Sequence, residues 1–184
     1  MLLAIGCGPK RPPEAPQSAV DRRIAAAQGH EKNRRYDLAE AEYRAAVAEA
    51  GSQKQRGKAR RALASALIFW GKYAEAEVAL ANLVVDRPDE PGAWHDLGMV
   101  RAKLGKATGA EQALRQSVRL APRDPRPRIA LAALLVNGRR YRAAQIEYRA
   151  LLDLELPAKL RSAVNQALDL LDRQLELDRG ATGR

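Results

Sequence analysis

The amino-acid sequence predicts an all-α protein built from helical hairpins that repeat along the chain. Hydrophobic residues make up 46% of the sequence, and most of them are Ala and Leu, which favour helices. Aromatic residues make up only 4% and β-branched residues are sparse, so strands are disfavoured. From residue 19 onward the helical pattern is interrupted at regular distances, as expected of a repeat protein.

Three segments of the chain come into register when the sequence is shifted by 34 residues. Leu63, for example, aligns with Leu97 and Leu131. An earlier segment joins the same register after an insertion of three residues. Further aligned sets are Ala27, Ala64, Gly98 and Ala132; Ala39, Ala76, Ala110 and Ala144; and Tyr43, Leu80, Leu114 and Tyr148.

The size of the aligned residues predicts how the helices pack. Small residues recur in the first helix of each hairpin, as at Gly98, and in the second helix, as at Ala110. We expect the two helices to cross closely there, because a larger side chain would force them apart. Large residues such as Leu114 follow one turn after the second small residue, on the same helix face. They are expected to fill the space between neighbouring hairpins, so that stacking creates a continuous core.

The third aligned segment contains a bulky aromatic residue followed by Leu-Gly in its first helix, Ala in its second helix, and a closing proline. This pattern and the 34-residue period resemble the tetratricopeptide-repeat (TPR) family. The residues that carry the resemblance in this segment are Trp94, Leu97, Gly98, Ala110 and Pro122.

The resemblance to TPR proteins covers about residues 20–157 and implies the fold in more detail. It implies a right-handed superhelical solenoid of about four helix–turn–helix units, closed by a C-terminal capping helix. The cap is predicted at 158–179, where apolar residues form one stripe of an amphipathic helix, and residues 180–184 are expected to be a disordered tail. The four expected units are 20–53, 57–90, 91–124 and 125–157.

The beginning of the chain differs from the rest. Residues 1–7 end in the run Leu3–Cys7, which resembles a bacterial lipobox and implies lipidation of Cys7. Residues 8–19 are rich in proline, which favours extended, solvated chain, so we expect a tether there. A secretory signal usually has a positively charged start and 7–15 apolar residues, whereas only six residues precede the cysteine and none is Lys or Arg. An ordinary cysteine is therefore the alternative.

The lipobox resemblance implies a protein of the bacterial envelope, anchored by lipid and facing the periplasm. Gly8 follows the cysteine, in place of the aspartate that typically retains lipoproteins at the inner membrane. The resemblance therefore favours the outer membrane. The alternative is a cytoplasmic TPR interaction module without a lipid anchor.

The TPR resemblance also implies that the first helices line a concave face that holds an extended or helical peptide. Apolar anchors are expected at Phe69, Met99 and Ile129, with basic residues at the rim. Such a surface suits an amphipathic or acidic segment of a client protein. The predicted groove residues are Lys58, Arg61, Ser65, Phe69, His95, Met99, Lys103, Arg126, Ile129 and Asn137.

The chain is basic, with a formal net charge of +10 and a pI of about 10.2. Acidic residues are interleaved with basic ones along most of the sequence, but the stretch Lys54–Arg61 contains five cations and no acid. We place this stretch at the inserted turn between the first two units, as a solvated loop and helix start or as a site for phosphate-rich surfaces. It has no aromatic residue on which bases could stack, so no specific nucleic-acid partner is expected.

The sequence contains no motif that would indicate an enzyme. A Gly-rich phosphate loop, HExxH, Gly-x-Ser-x-Gly and paired cysteines are all missing,. The two histidines, His30 and His95, lie far apart and have no cysteine partners, so neither a metal site nor a cofactor is expected. The sequence therefore predicts a scaffold that binds another protein.

Overall fold

The computed structural model describes residues 18–182, with side chains through residue 179. This range contains nine helices and no strand. Cys7, the lipobox-like residues and most of the predicted tether lie outside the described residues, as do residues 183–184. The helices are α1 (Ala19–Lys32), α2 (Tyr36–Ala48), α3 (Gln53–Phe69), α4 (Tyr73–Asp86), α5 (Pro91–Lys103), α6 (Ala107–Leu120), α7 (Pro125–Asn137), α8 (Tyr141–Leu152) and α9 (Ala158–Thr182).

The first eight helices pair into four hairpins in chain order. Helix α1 packs on α2, α3 on α4, α5 on α6 and α7 on α8. Each second helix then packs on the first helix of the next hairpin, and α8 packs on α9. This arrangement confirms the predicted all-α superhelical solenoid of about four units with a capping helix.

The turn inside each hairpin places one residue in the left-handed region, at the same repeat position each time. These residues are Arg34 (φ 55°), Gly71 (φ 74°), Gly105 (φ 73°) and Arg139 (φ 56°). In every turn the next residue donates its backbone N–H to the carbonyl oxygen five residues back, at 2.8 or 2.9 Å, which is the Schellman arrangement. Glycine adopts this conformation freely, whereas an arginine there costs about 1 kcal/mol.

The small residues at the predicted helix crossings are buried. The four aligned alanines of the second helices, among them Ala110, each have an exposed fraction of 0%. A Cβ atom added to Gly98 would lie 2.6 Å from Leu114 Cγ and 3.2 Å from the Ala110 carbonyl oxygen. The helices of the third unit therefore cross too closely for any side chain at this position, as the sequence predicted.

The large residues one turn further along fill the space between neighbouring units. Tyr43, Leu80 and Leu114 are buried, and Tyr148 is half-buried. The buried Tyr43 hydroxyl donates a hydrogen bond to a Glu31 carboxylate oxygen at 2.8 Å. Burial, and secondly this carboxylate, raise the pKa of Tyr43, so the phenol stays protonated and the hydrogen bond persists.

Charged side chains link each unit to the next in a repeated pattern. Glu77 of α4 accepts hydrogen bonds from Lys106 Nζ at 2.5 Å and from Arg101 Nε at 3.2 Å. Glu111, 34 residues later on α6, accepts one from Arg140 Nη1 at 2.5 Å. Because Lys106 and Arg140 are the N-cap residues of α6 and α8, each carboxylate ties one second helix to the start of the next.

The same kind of link recurs through the whole array, and we call the set of links the glutamate ladder. It consists of Glu40, Glu77, Glu111 and Gln145 with their partners. At its first rung Glu40 accepts a hydrogen bond from Lys72 Nζ at 2.6 Å. At its last rung the residue is Gln145, and its amide donates to Asp172 of α9 at 2.6 Å. The direction of the hydrogen bond is therefore reversed where the last unit meets the cap.

The cations of the ladder hold the pKa values of its glutamates below their ordinary range. At Glu40 and Glu77 the largest cause is the hydrogen bond from the lysine of the next unit. At Glu111 burial acts to raise the pKa, but the hydrogen bonds from Arg140 and from its own helix outweigh it. A carboxylate of this kind stabilises the fold above its unfolded-state pKa, and its contribution is lost as pH falls through the folded-state value.

Helix α9 covers the end of the array and is longer than the sequence predicted. Val164 and Leu171 are 2% and 6% exposed, and Leu171 belongs to the same buried cluster as Leu135 of α7. The helix continues to Thr182, three residues past the predicted end at 179, so the expected disordered tail begins inside it. None of the described helices is long and apolar enough to cross a bilayer.

Replacing Gly98 by Ala should destabilise the protein. The new Cβ would overlap Leu114 and the Ala110 carbonyl, and overpacking of this kind costs about 1–3 kcal/mol, against a gain in helix propensity of about 1 kcal/mol. Urea titrations would measure the free energy of unfolding. Gly29→Ala is the matched control: a Cβ there meets no atom within 4 Å, so this variant should gain up to about 1 kcal/mol. A Gly98→Ala variant that gains as much stability as Gly29→Ala would contradict the close crossing.

Glu77→Gln should lower the free energy of unfolding by about 1 kcal/mol at pH 7, because the amide cannot replace the carboxylate as acceptor for two cations. The deficit should shrink as pH falls from the unfolded-state value of about 4.3 through the lowered folded-state pKa, since the parent glutamate is then protonated too. Glu155→Gln should be neutral, because Glu155 is exposed and pairs with no described residue. A deficit that stays constant down to pH 3 would show that the ladder is not electrostatic.

Candidate peptide-binding surface

The first helices of the units line the concave side of the solenoid. Helix α1 contacts α3 and α5 contacts α7, whereas no comparable contact joins the second helices of neighbouring units. The hairpins therefore fan apart on the side of the second helices and converge on the side of the first. This geometry gives α1, α3, α5 and α7 a shared inner surface.

The predicted groove residues lie on three of these first helices, α3, α5 and α7. None of the ten is buried, so all of them can be reached by a ligand. Lys58, Ser65, Phe69, Met99, Lys103, Arg126 and Asn137 are exposed, and Arg61, His95 and Ile129 are half-buried.

A charge cluster joins α3, α5 and the start of α7. Arg61 Nη1 lies 4.0 Å from Asp96 Oδ2, and His95 Nδ1 lies 3.1 Å from Asp96 Oδ1. Asp124, the N-cap of α7, pairs with Arg126 at 2.7 Å. Arg126 is the main cause that lowers the pKa of Asp124, and His95 adds to it. The structure thus brings three of the predicted residues close to one another, together with two carboxylates that the sequence analysis did not single out.

The predicted basic rim is largely neutralised by the protein's own carboxylates. Lys58 Nζ lies 2.5 Å from Asp21 Oδ1 of α1, and Arg61 also hydrogen-bonds to Glu90. Among the predicted groove cations, Lys103 is the one without an ion pair to any described residue. The concave face therefore has a mixed charge, which corrects the basic surface expected from the sequence.

The basic stretch Lys54–Arg61 lies in the first half of α3, so the expected helix start is found, but its predicted position in the inserted turn is wrong. The inserted residues lengthen the helix, which has 17 residues against 13 in α5 and 13 in α7. Arg60 hydrogen-bonds to Asp86 of α4, and Arg56 lies 3.9 Å from the same carboxylate. Of the five cations, Lys54 alone has no ion pair within the described part of the chain. The stretch mainly holds neighbouring helices together, which leaves little of it for phosphate-rich surfaces.

Phe69 lies in a separate cleft at the turn end of the first two units. We call this the aromatic cleft; its volume is about 360 Å³ and it is lined by Tyr36, Asp37, Phe69, Trp70 and Lys72. The rings of Tyr36 and Trp70 are tilted by 56° with centroids 5.8 Å apart. Sequence analysis named Phe69 and missed the two other aromatic residues. They meet because Tyr36 follows the turn of the first unit and Trp70 precedes the turn of the second.

A second groove, which sequence analysis also missed, lies between α2, α3 and α4. Its volume is about 410 Å³. Val78 is 62% exposed within it, and an ion pair of Arg44 with Glu75, at 2.6 Å, lies at its edge. The lining residues are Arg44, Val47, Ala48, Arg60, Leu63, Leu67, Glu75, Val78, Ala79 and Asn82.

The described residues do not assemble a metal centre. No group of three or more His, Cys, Asp and Glu side chains that could hold an ion occurs within residues 18–179. His30 lies on α1 and His95 on α5, in different units of the array.

The third unit matches a known repeat family. The model of the tetratricopeptide repeat family matches residues 91–124, the segment that contains α5 and α6 and the fullest sequence motif. No curated protein sequence matches the chain significantly. The matched segment coincides with the unit boundaries expected from the sequence for this repeat.

Several solved structures share this architecture over 64–90% of the chain. The MamA protein is 15% identical, with a TM-score of 0.75 over 90% of this chain and 87% of its own. YrrB, a TPR protein with an unusual peptide-binding site, is 18% identical, with a TM-score of 0.67 over 84% of this chain and 76% of its own. The Yersinia enterocolitica type III secretion chaperone SycD, solved with a peptide of the translocator YopD, is 18% identical, with a TM-score of 0.60 over 64% of this chain and 92% of its own.

The fold is therefore that of a solenoid of helical hairpins with a concave inner surface. More specifically, it is a TPR solenoid, because a TPR model matches its third unit and TPR structures superpose on the array as a whole. The family match and the shared fold point to no catalytic family.

Proposed function

We propose that the chain is an adaptor that holds a segment of a client protein on its concave face, and that a lipid on Cys7 anchors it at the bacterial envelope. The observation that carries the first part is accessible apolar surface on the inner helices: Met99 is 39% exposed and Ile129 is half-buried. A contiguous apolar patch is typical of a binding site, and these two residues lie on neighbouring first helices, α5 and α7. The complex of SycD with a YopD peptide and the peptide-binding site of YrrB, on the same fold, support this proposal.

The mixed charge of the concave face favours an amphipathic client segment over a purely acidic one. Apolar side chains of the client would contact Met99 and Ile129, and one acidic group could pair with Lys103. The other predicted cations already contact carboxylates such as Asp96. An acidic client would have to displace those carboxylates and leave them without partners, which costs free energy.

The anchor rests on the sequence pattern Leu3–Cys7 and on the proline-rich residues that follow it. The hydroxyl of Ser18 accepts the Asp21 N–H at 3.1 Å and caps α1. About ten residues separate Cys7 from this cap, and in extended form they would span up to about 30 Å. A lipid there would hold the array close to a membrane, and Gly8 after the cysteine favours the outer one.

A photo-crosslinking amino acid in place of Met99 should form an adduct with the client in cells, because Met99 is a predicted groove residue on the first helix α5. The same amino acid in place of Val85 should not, although Val85 is 77% exposed, because it lies on the second helix α4. Met99→Glu should then weaken binding of the identified client about tenfold. Val85→Glu is its matched control.

Equal adducts from positions 85 and 99 would contradict a concave binding site, because they would indicate random encounters. Unchanged affinity of the Met99→Glu variant would do the same, since a charge at a buried apolar contact should be costly.

Labelled palmitate should be incorporated into the protein in bacterial cells that express the gene with its native upstream region. The label should disappear in Cys7→Ser, because only the thiol can carry the lipid. If neither form of the protein takes up label, the lipid anchor is excluded. The cytoplasmic TPR module is then the better proposal.

A further inference from the structure

The aromatic cleft exposes apolar surface on two of its side chains. Phe69 is 79% exposed and Tyr36 is 42% exposed. Both side chains stand beside Trp70, whose ring also contacts the buried Tyr43 at a centroid distance of 6.4 Å. Three aromatic side chains thus form a ridged surface that no described residue covers.

Two polar features of the cleft lack partners. The indole N–H of Trp70 is shielded from solvent and has no hydrogen-bond acceptor among the described residues. Asp37 makes no hydrogen bond or ion pair with any of them either. Its charge acts on Lys72, but that lysine is hydrogen-bonded to Glu40. A buried donor without an acceptor is unfavourable, so the cleft favours a ligand that brings a carbonyl oxygen and a cation.

We propose that the aromatic cleft binds the chain's own proline-rich segment, residues 8–17. Proline-rich chains favour the polyproline II conformation, which has no internal hydrogen bonds and leaves every carbonyl free to accept one. Grooves lined by aromatic residues recognise such chains by packing the pyrrolidine rings between aromatic rings. The cleft offers that surface together with an unpaired indole donor.

The sequence of residues 8–17 fits this mode of binding. Polyproline II has three residues per turn, so Pro9 and Pro12 lie on one edge of the helix, and Pro13 and Pro16 on another. Lys10 lies between the first pair, where it can pair with Asp37. The segment therefore supplies the rings, the carbonyls and the cation that the cleft lacks.

The segment is also long enough to reach the cleft from the point where it joins α1. The 14 residues of α1 and one helix spacing separate Ser18 from the cleft by roughly 20–25 Å. At about 3.1 Å per residue, Pro12 lies up to about 19 Å from Ser18 and Pro9 up to about 28 Å. The end around Pro9 can therefore occupy the cleft, with Pro12 at its near edge and Pro16 along α1.

The indole N–H signals of Trp70 and Trp94 in ¹⁵N-labelled full-length Cys7→Ser protein test the docking. Replacing the four prolines Pro9, Pro12, Pro13 and Pro16 by Ala should shift the Trp70 signal and leave the Trp94 signal unchanged. Trp94 is the internal control, because its indole already donates to the Pro88 carbonyl at 2.8 Å in another unit. A Trp70→Phe variant assigns the two signals.

A peptide of residues 8–17, added to the chain with the four alanines, should return the Trp70 signal to its original position. Phe69→Ala should weaken this peptide about tenfold. This substitution removes an exposed ring, so the fold should be unaffected. Leu38→Ala is the matched control, because Leu38 is 48% exposed on the same helix as Tyr36 but does not line the cleft; it should leave binding unchanged.

An identical Trp70 signal with and without the prolines would overturn the proposal. A shift that grows with protein concentration would also overturn it, because the segment would then bind a neighbouring copy. Since all of these proteins carry Cys7→Ser, the outcome does not depend on lipid anchoring or on a client.

Discussion

The array depends on how closely the two helices of each hairpin cross. In the third unit even a methyl group at Gly98 would overlap Leu114, and the aligned alanines of the other units are fully buried. The short separation lets the large residue one turn later reach the next hairpin, so the units stack as a solenoid. The buried side chains accordingly form two extended clusters, from Val20 to Ala113 and from Leu114 to Leu171, which meet in α6.

The glutamate ladder offsets an unfavourable positive charge at the start of the second helices. The second helices of the later units begin with a cation, such as Lys106 or Arg140, and a positive charge at a helix N-terminus is unfavourable because of the helix dipole. A glutamate of the preceding unit neutralises each of these cations. The next unit is thus stabilised only when its neighbour is folded, which couples the units beyond their apolar contact. At α9 the rung is Gln145 with Asp172, so the cap ends the series without a cation to neutralise.

The fold could be predicted from the sequence because the buried positions recur every 34 residues, and the size of each residue there is fixed by the helix crossing. The ion pairs could not be predicted, because their partners are far apart in sequence. Arg60 and Asp86 are 26 residues apart, and Lys58 and Asp21 are 37 residues apart. From the sequence, each cation was compared only with its neighbours along the chain. The sequence therefore predicted an unpaired basic stretch where the structure has ion pairs between helices. The aromatic cleft was missed for a related reason: Trp70 lies outside the repeat motif, and only the stacking of two turns brings it to Tyr36.

The pairing of charges on the concave face limits how much charge contributes to client affinity in the proposed adaptor. Pairs such as Arg61 with Asp96 hold their side chains in place, so less conformational entropy is lost when a client binds. The same pairs must be broken before their cations can contact a client, and they therefore contribute little to affinity. The net charge of +10 still attracts acidic proteins over a distance of about 10 Å, which raises the rate of encounter. In this arrangement charge raises the association rate of a client, and apolar contact with residues such as Met99 sets the dissociation rate.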